Sequence, residues 1–208
     1  MIFQLDKRLV FPDPALAEPD GLLAIGGDLS PERLVKAYAE GIFPWYSNKQ
    51  PILWYSPHKR FVLFPDRLKI TKSMRQVIKS GKFKVTFNQD FAAVINACAN
   101  VSRAGQRGTW ITGDMENAYL ELHRKEKAHS VEVWQDNELA GGLYGVEVNR
   151  IFCGESMFSK VSNASKIALI ALCQQKNYEL IDCQMYTEHL ESLGAIMIDR
   201  EEFQTFLS

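Results

Sequence analysis

Long hydrophobic runs are missing from this 208-residue chain. No stretch approaches the roughly 20 apolar residues that cross a bilayer, so a membrane-spanning helix is not expected. The opening MIFQLDKRLVFPDP has an early acid, Asp6, and no apolar core of its own, so it does not read as a secretory leader. Cysteine is sparse and unpatterned. Cys98, Cys153, Cys173 and Cys183 form no CxxC pair and each stands among apolar neighbours, as expected of reduced core residues in a cytoplasmic protein. His58, His123, His129 and His189 show no HExxH spacing, and no metal is expected. GxxxxGK[ST], GxGxxG and GxSxG are all absent, which removes P-loop NTPases, dinucleotide enzymes and α/β-hydrolases from consideration. Cys153 with His129 is the one cysteine-nucleophile pairing to weigh, and nothing in the spacing sets a base beside the thiol.

What is present is ordinary in amount and uneven in placement. Apolar residues make up 46% and charged residues 24%, enough for a globular fold with its own core. The formal net charge is −1, yet residues 59–84 hold nine basic side chains against the single acid Asp66, a local +8 that leaves −9 elsewhere. Such a block points to a polyanion partner. Lys72, Arg75 and Lys79 share one helix face at i, i+3 and i+7, and Lys82 and Lys84 follow closely.

The periodicity predicts an α+β protein. Residues 11–57, rich in Pro, Gly and aromatics, read as loops and turns around one helix, with Ser30 as cap, Pro31 at the first position and Gly41 as stop. RFVLFP (60–65) reads as a strand and TKSMRQVIKSG as a helix capped by Thr71 or Ser73. A strand at 83–88 and two further helices follow, separated by GTWIT (108–112). From residue 130 the period becomes two: SVEVWQ, LAGGLYGVEV and RIFCGESMF form a meander with turns at Asp136-Asn137 and Asn149-Arg150. A helix at 163–175, capped by Ser162 or Asn163, then crosses to the strand YELIDCQMY, which allows one parallel pair. GAIMI is a last short strand. DREEFQTFL is a closing helix in which Asp199 and Glu202 have capping-box spacing.

Three polar residues interrupt otherwise apolar strands: Glu155 in FCGESMF, and Asp182 and Gln184 in LIDCQ. Alternation would put Asp182 and Gln184 on one face. A buried carboxylate costs several kcal/mol unless it is paired or hydrogen-bonded. Either Glu155 or Asp182 caps a helix or pairs with a lysine such as Lys160 or Lys166, or the acids line a pocket for a cationic substrate. Trp45, Trp54, Trp110 and Tyr119 are core residues or ligand platforms. Trp110, in the loop RGTWITG, is the best platform candidate, since bases stack on such residues with about 1–3 kcal/mol each.

Taken together, EPDGLLAIGGDLSPERLVKAYAEGIFPWYS, PILWYSP, GTWIT, HSVEVW, LAGGLYGV, FCGESMFS, NASKIAL and LIDCQ resemble the bacterial leucyl/phenylalanyl-tRNA–protein transferases, in order, over residues 11–184. The resemblance implies a small N-terminal domain (1–62) followed by a catalytic domain (63–208) of the N-acetyltransferase-like (GNAT) fold with a mainly antiparallel sheet. It implies a cytoplasmic enzyme that moves Leu or Phe, with Met as a third option, from aminoacyl-tRNA to the N-terminal Arg or Lys of acceptor proteins. That transfer marks the acceptors for N-end rule degradation. It implies no cofactor, because the tRNA ester is already activated. Carried over by position, Asp182 and Gln184 are the catalytic pair with Glu155 beside them. Leu143, Phe152, Leu172 and Ile181 surround the Leu or Phe side chain, and Trp45, Trp110 and Tyr119 lie at the aminoacyl-adenosine site. Leu143 and Leu172 stand where better-known members carry Met and Phe, and Tyr55 where a second Trp is usual. Lys72, Arg75, Lys79, Lys82 and Lys84 would meet tRNA phosphates. A monomer is expected.

Two other readings start from the same residues. An acyl-CoA N-acetyltransferase would need a Q/R-x-x-G-x-G/A turn opening a helix, and SKVSNASKIAL lacks it. A noncatalytic RNA-binding module would use the basic block and the tryptophans, but would gain nothing from Glu155 and Asp182.

Overall fold

The computed structural model describes residues 2–47, 50–101, 111–175 and 178–207. The first part of the chain is a four-stranded sheet rather than loops around a helix. It comprises β1 (Phe3–Leu5), β2 (Leu22–Gly26), β3 (Phe43–Pro44) and β4 (Leu53–Tyr55), in the order β1-β2-β4-β3. Strands of two to five residues are too short to show an alternating period. They are held by side chains of distant origin: the Trp54 indole donates to the Gly26 carbonyl (2.9 Å) and takes the Phe11 ring edge-on (4.9 Å). Helix α1 (Pro31–Ala39) lies between β2 and β3, with Pro31 and Glu32 in its first turn as expected. Ser30 is its cap residue but makes no side-chain capping bond. Gly41 follows the helix with φ +74°, a conformation that costs glycine little.

The second sheet has seven strands. Its elements in chain order are β5 (Lys59–Leu63), α2 (Lys72–Lys79), β6 (Lys84–Phe87), α3 (Phe91–Asn100), α4 (Gly113–Arg124), β7 (Ala128–Gln135), β8 (Glu138–Val148), β9 (Ile151–Ser159), α5 (Ala164–Gln175), β10 (Leu180–Gln184), α6 (Glu188–Ser192), β11 (Ile196–Asp199) and α7 (Arg200–Thr205). The strand order is β11-β5-β10-β9-β8-β7-β6, and every pairing is antiparallel except β9 with β10. The parallel pair is the one that the α5 crossover allows. Asp136 and Asn137 both take φ > 0 at the β7–β8 turn, as a two-residue hairpin requires. Thr71, Asp90 and Thr112 cap α2, α3 and α4 by accepting from the N–H three residues on. Asp199 does not complete the capping box expected of it, because its carboxylate pairs with Lys59 instead (2.7 Å).

The sheet has two apolar faces. Against one lies α5, whose Ile167, Leu169, Ile170 and Leu172 pack with Val131, Val133, Leu143, Phe152 and Ile181. Against the other lie α1, α3 and α4 with the small sheet, burying Tyr38, Trp54, Tyr119, Tyr144 and Val146. Each fully buried aliphatic or aromatic side chain contributes about 1.5–3 kcal/mol. Among the described residues no helix is long and apolar enough to cross a membrane.

Candidate active site where two strands part

Strands β9 and β10 pair over only three positions, ending at Asp182 opposite Cys153. Both are irregular at the point where that pairing stops. In β9 the register passes from Gly154 to Ser156, leaving Glu155 as an extra residue. In β10 it passes from Asp182 to Gln184, leaving out Cys183, and Gln184 adopts φ +60°. Such bulges turn side chains that strict alternation would place elsewhere. The simple alternation expected for LIDCQ therefore does not hold: Asp182 stands opposite Val62 and Gln184 opposite Phe61.

A cavity of about 380 Å³ opens in this gap. Leu143, Phe152, Leu172 and Ile181 line it together with Met157 and Leu169, and Trp45 stands at its rim, 38% exposed. Glu155, Asp182 and Gln184 also line it. The structure thus brings together most of the residues singled out from sequence, which derive from β8, β9, α5, β10 and the segment after β3.

The polar end is fully connected. Gln184 Nε2 donates to Glu155 Oε1 (2.7 Å). The Tyr38 hydroxyl donates to the same oxygen (2.7 Å) and the Tyr119 hydroxyl to Oε2 (2.9 Å). When Glu155 is ionised its carboxylate only accepts, and the Gln184 amide faces it with its NH2 group. That leaves Gln184 Oε1 as the open acceptor of a cavity-lining residue. Asp182, fully buried, accepts Gln184 N–H (2.9 Å) and meets Arg60 through Nε (3.0 and 3.1 Å) and Nη2 (2.7 Å). Arg60 Nη1 donates to Gly41 O (2.9 Å). The Phe43 and Phe203 rings hold the guanidinium carbon at 4.7 and 4.6 Å. The partner of Asp182 is therefore Arg60, not Lys160 or Lys166.

The two acids differ electrostatically. Burial pushes the Glu155 carboxyl up to about 7, against the pull of its hydrogen bonds from Tyr38, Tyr119 and Gln184, and the charge of Asp182 adds to the rise. Burial and the Glu155 charge drive both phenols well above their usual range, so they stay donors. Burial works against the charge of Arg60, and the charge and hydrogen bonds of Asp182 more than restore it. Cys153 is buried, and burial raises its thiol well above the ordinary value, which makes it unfit as a nucleophile. Among the described residues no three His, Cys, Asp or Glu side chains gather as metal ligands.

Tyr119 is not at the cavity wall. It is fully buried behind Glu155 and donates to it there. Trp110 lies outside the described residues. Lys72, Arg75, Lys79, Lys82 and Lys84 are all exposed, whereas Arg60 and Lys59 of the basic block are held by Asp182 and Asp199. Sequence reasoning missed Tyr38 and Arg60. A charge opening the apolar run RFVLFP was the available signal for Arg60.

A family model described as leucyl/phenylalanyl-tRNA protein transferase matches residues 62–208, and one for the N-terminal domain of that transferase matches 27–58. The chain belongs to the leucyl/phenylalanyl-tRNA–protein transferase family. Curated relatives bearing that name include proteins of Flavobacterium johnsoniae (56% identical, covering 99% of both chains) and Christiangramia forsetii (57% identical, covering 99% of this chain and 100% of the relative). A third, from Syntrophus aciditrophicus, is 55% identical and covers 99% of this chain and 87% of the relative. Solved structures resemble this member of the family more distantly. L-PGS from Bacillus licheniformis matches at TM-score 0.40 and 12% identity over 82% of this chain and 57% of that one. A GCN5-related N-acetyltransferase from Kribbella flavida matches at TM-score 0.39 and 8% identity over 77% and 58%. Likeness at that distance carries no argument about chemistry.

Proposed function

We propose that the chain transfers Leu or Phe from aminoacyl-tRNA to the α-amine of acceptor proteins with N-terminal Arg or Lys, in the cytoplasm, as a monomer. The carrying observation is an apolar cavity that ends on an oriented amide and a buried acid. Leu143, Phe152, Leu172 and Ile181 suit an apolar amino-acid side chain, and Trp45 at the rim suits the terminal adenosine. Residues 1–62 form the small N-terminal domain of this reading, supplying Tyr38 and Trp45. Residues 63–208 form the catalytic domain. Strand β5 spans that boundary and pairs within the larger sheet.

The nucleophile is an α-amine of pKa about 7.7–8.0, of which roughly a tenth is neutral at pH 7. Gln184 Oε1 accepts one of its N–H groups and aims the lone pair at the ester carbonyl, so positioning supplies much of the rate. The C–N bond forms, the ester C–O bond breaks, the amine gives up one proton, and the ribose oxygen leaves with one. A carboxamide is too weak a base to hold that proton, and Asp182 is neutralised by Arg60, so the proton passes to the leaving ribose oxygen. Glu155 holds the Gln184 amide and, when ionised, supplies the negative charge that favours an Arg or Lys acceptor. No CoA or ATP takes part.

The test uses purified protein, labelled Phe-tRNA and Leu-tRNA, and peptides that start with Arg, Lys or Ala. Label moving to the Arg and Lys peptides alone, without CoA or ATP, is the expected result. Bound tRNA with no transfer would leave the RNA-binding reading. Charge reversal at Lys72, Arg75 and Lys79 is expected to weaken tRNA binding about tenfold or more and to flatten its salt dependence. Unchanged binding would make α2 no more than a solvated face.

A further inference from the structure

Gln184 presents its amide from a backbone conformation that only glycine adopts cheaply, φ +60°. Something must hold it there. Its side chain is tied to Glu155, and its N–H is tied to Asp182 Oδ1 at 2.9 Å. Asp182 has no freedom of its own, since both its oxygens face Arg60 at 2.7–3.1 Å. Arg60 is fixed on three further sides: by the Gly41 carbonyl at the end of α1, by the Phe43 ring, and by the Phe203 ring on α7. A planar guanidinium with its edge in a carboxylate fork and its faces against two rings can occupy only one orientation.

Resting on the transfer reading above, we propose that Arg60 is a positioning residue of the reaction, and that Phe203 of the closing helix acts through it. Neither side chain lines the cavity. Arg60 holds the Asp182 carboxylate, the carboxylate holds the Gln184 N–H, and the strained Gln184 backbone thereby aims Oε1 at the incoming amine. Phe203 is almost fully buried and packs beside Gly41, where an added Cβ would lie 3.4 Å from its ring. The helix that ends the chain thus reaches the reacting atoms through one cation.

The experiment measures kcat and KM with labelled Phe-tRNA and an Arg-initiated peptide for wild type, R60K, R60M and F203L. Phe-tRNA binding and Tm are recorded for each. R60M is expected to lose about a hundredfold or more in kcat while KM for Phe-tRNA stays within about twofold. R60K, which keeps the charge and loses the fork, is expected to fall between R60M and wild type. F203L, which keeps most of the apolar volume, is expected to lose threefold to tenfold in kcat with the same split. An R60M protein that binds Phe-tRNA and turns over at the wild-type rate overturns the proposal. So do losses in R60M and F203L that match only the loss of folded protein. If R60M does not fold, F203L decides: unchanged kcat overturns the proposal, and a kcat loss without a KM change supports it. A wild type that binds Phe-tRNA and transfers nothing overturns the transfer reading and the positioning role together. A wild type that transfers, beside variants that match it, overturns the positioning role alone.

Discussion

Asp182 and Glu155 are both buried acids bonded to the same glutamine, yet Asp182 meets a guanidinium and Glu155 meets two phenols and an amide. The first arrangement cancels a charge. The second solvates a charge with neutral dipoles and leaves it uncancelled, so burial still raises the carboxyl to about 7. On the proposed reading the site admits a cationic acceptor, and an acid of the second kind serves that. A site that must hold a backbone still is better served by the first. On the proposed transfer reading the difference divides the labour: Asp182 positions, and Glu155, once ionised, puts an uncancelled charge at the cavity.

Breaking the cancelled pair should have the largest effect on stability. R60M leaves a buried carboxylate unpaired, and urea unfolding is expected to show a loss of about 3–5 kcal/mol. The double variant R60M/D182N, with no stranded charge, should lose distinctly less. Equal losses would mean that packing of Arg60 between its two rings, rather than charge, carries the effect. The uncancelled acid should show itself through pH. The folded-state pKa of Glu155, about 7, exceeds the 4.5 of an unburied glutamate, so the native state binds this proton more tightly than the unfolded chain. Its contribution to stability is then complete below about 4.5 and is lost as pH rises to about 7. Unfolding between pH 5 and pH 8 should reveal a decline of about 2–3 kcal/mol that E155Q removes. A wild-type curve matching that of E155Q would show Glu155 ionising normally. Y119F sharpens the contrast most gently. It deletes one donor to Glu155, should cost about 1 kcal/mol, and should move the Glu155 titration upward, as read by the pH dependence of transfer to an Arg peptide. An unmoved titration would mean that Tyr38 and Gln184 suffice.

Much of this was legible in the chain. Glu155, Asp182 and Gln184 stood out because polar residues in apolar strands need partners, and the meander announced itself by period and turn residues. The partner of Asp182 did not, because it lies 122 positions away and was masked by its membership of a basic block. Tyr38 shares the buried face of α1 with Leu34, and no helical period tells a buried phenol with an acceptor from one without. The strands of the small sheet and the five-residue α6 are shorter than any window in which a period can be seen. The two bulges are invisible for a different reason. They depend on where neighbouring strands stop pairing, which is a property of the sheet and not of either strand.

The way the site draws on the whole chain has a bearing on dividing it. Tyr38, Gly41 and Phe43 precede the connection between β4 and β5. Arg60, Glu155, Asp182 and Phe203 follow it. A cut after Pro57 would give one fragment that carries the Tyr38 donor without its acid, and another that carries an acid and a cation stripped of part of their shelter. Neither fragment is expected to persist alone. Expressed together, they should find each other and restore turnover, as an obligate pair assembled around a single carboxylate.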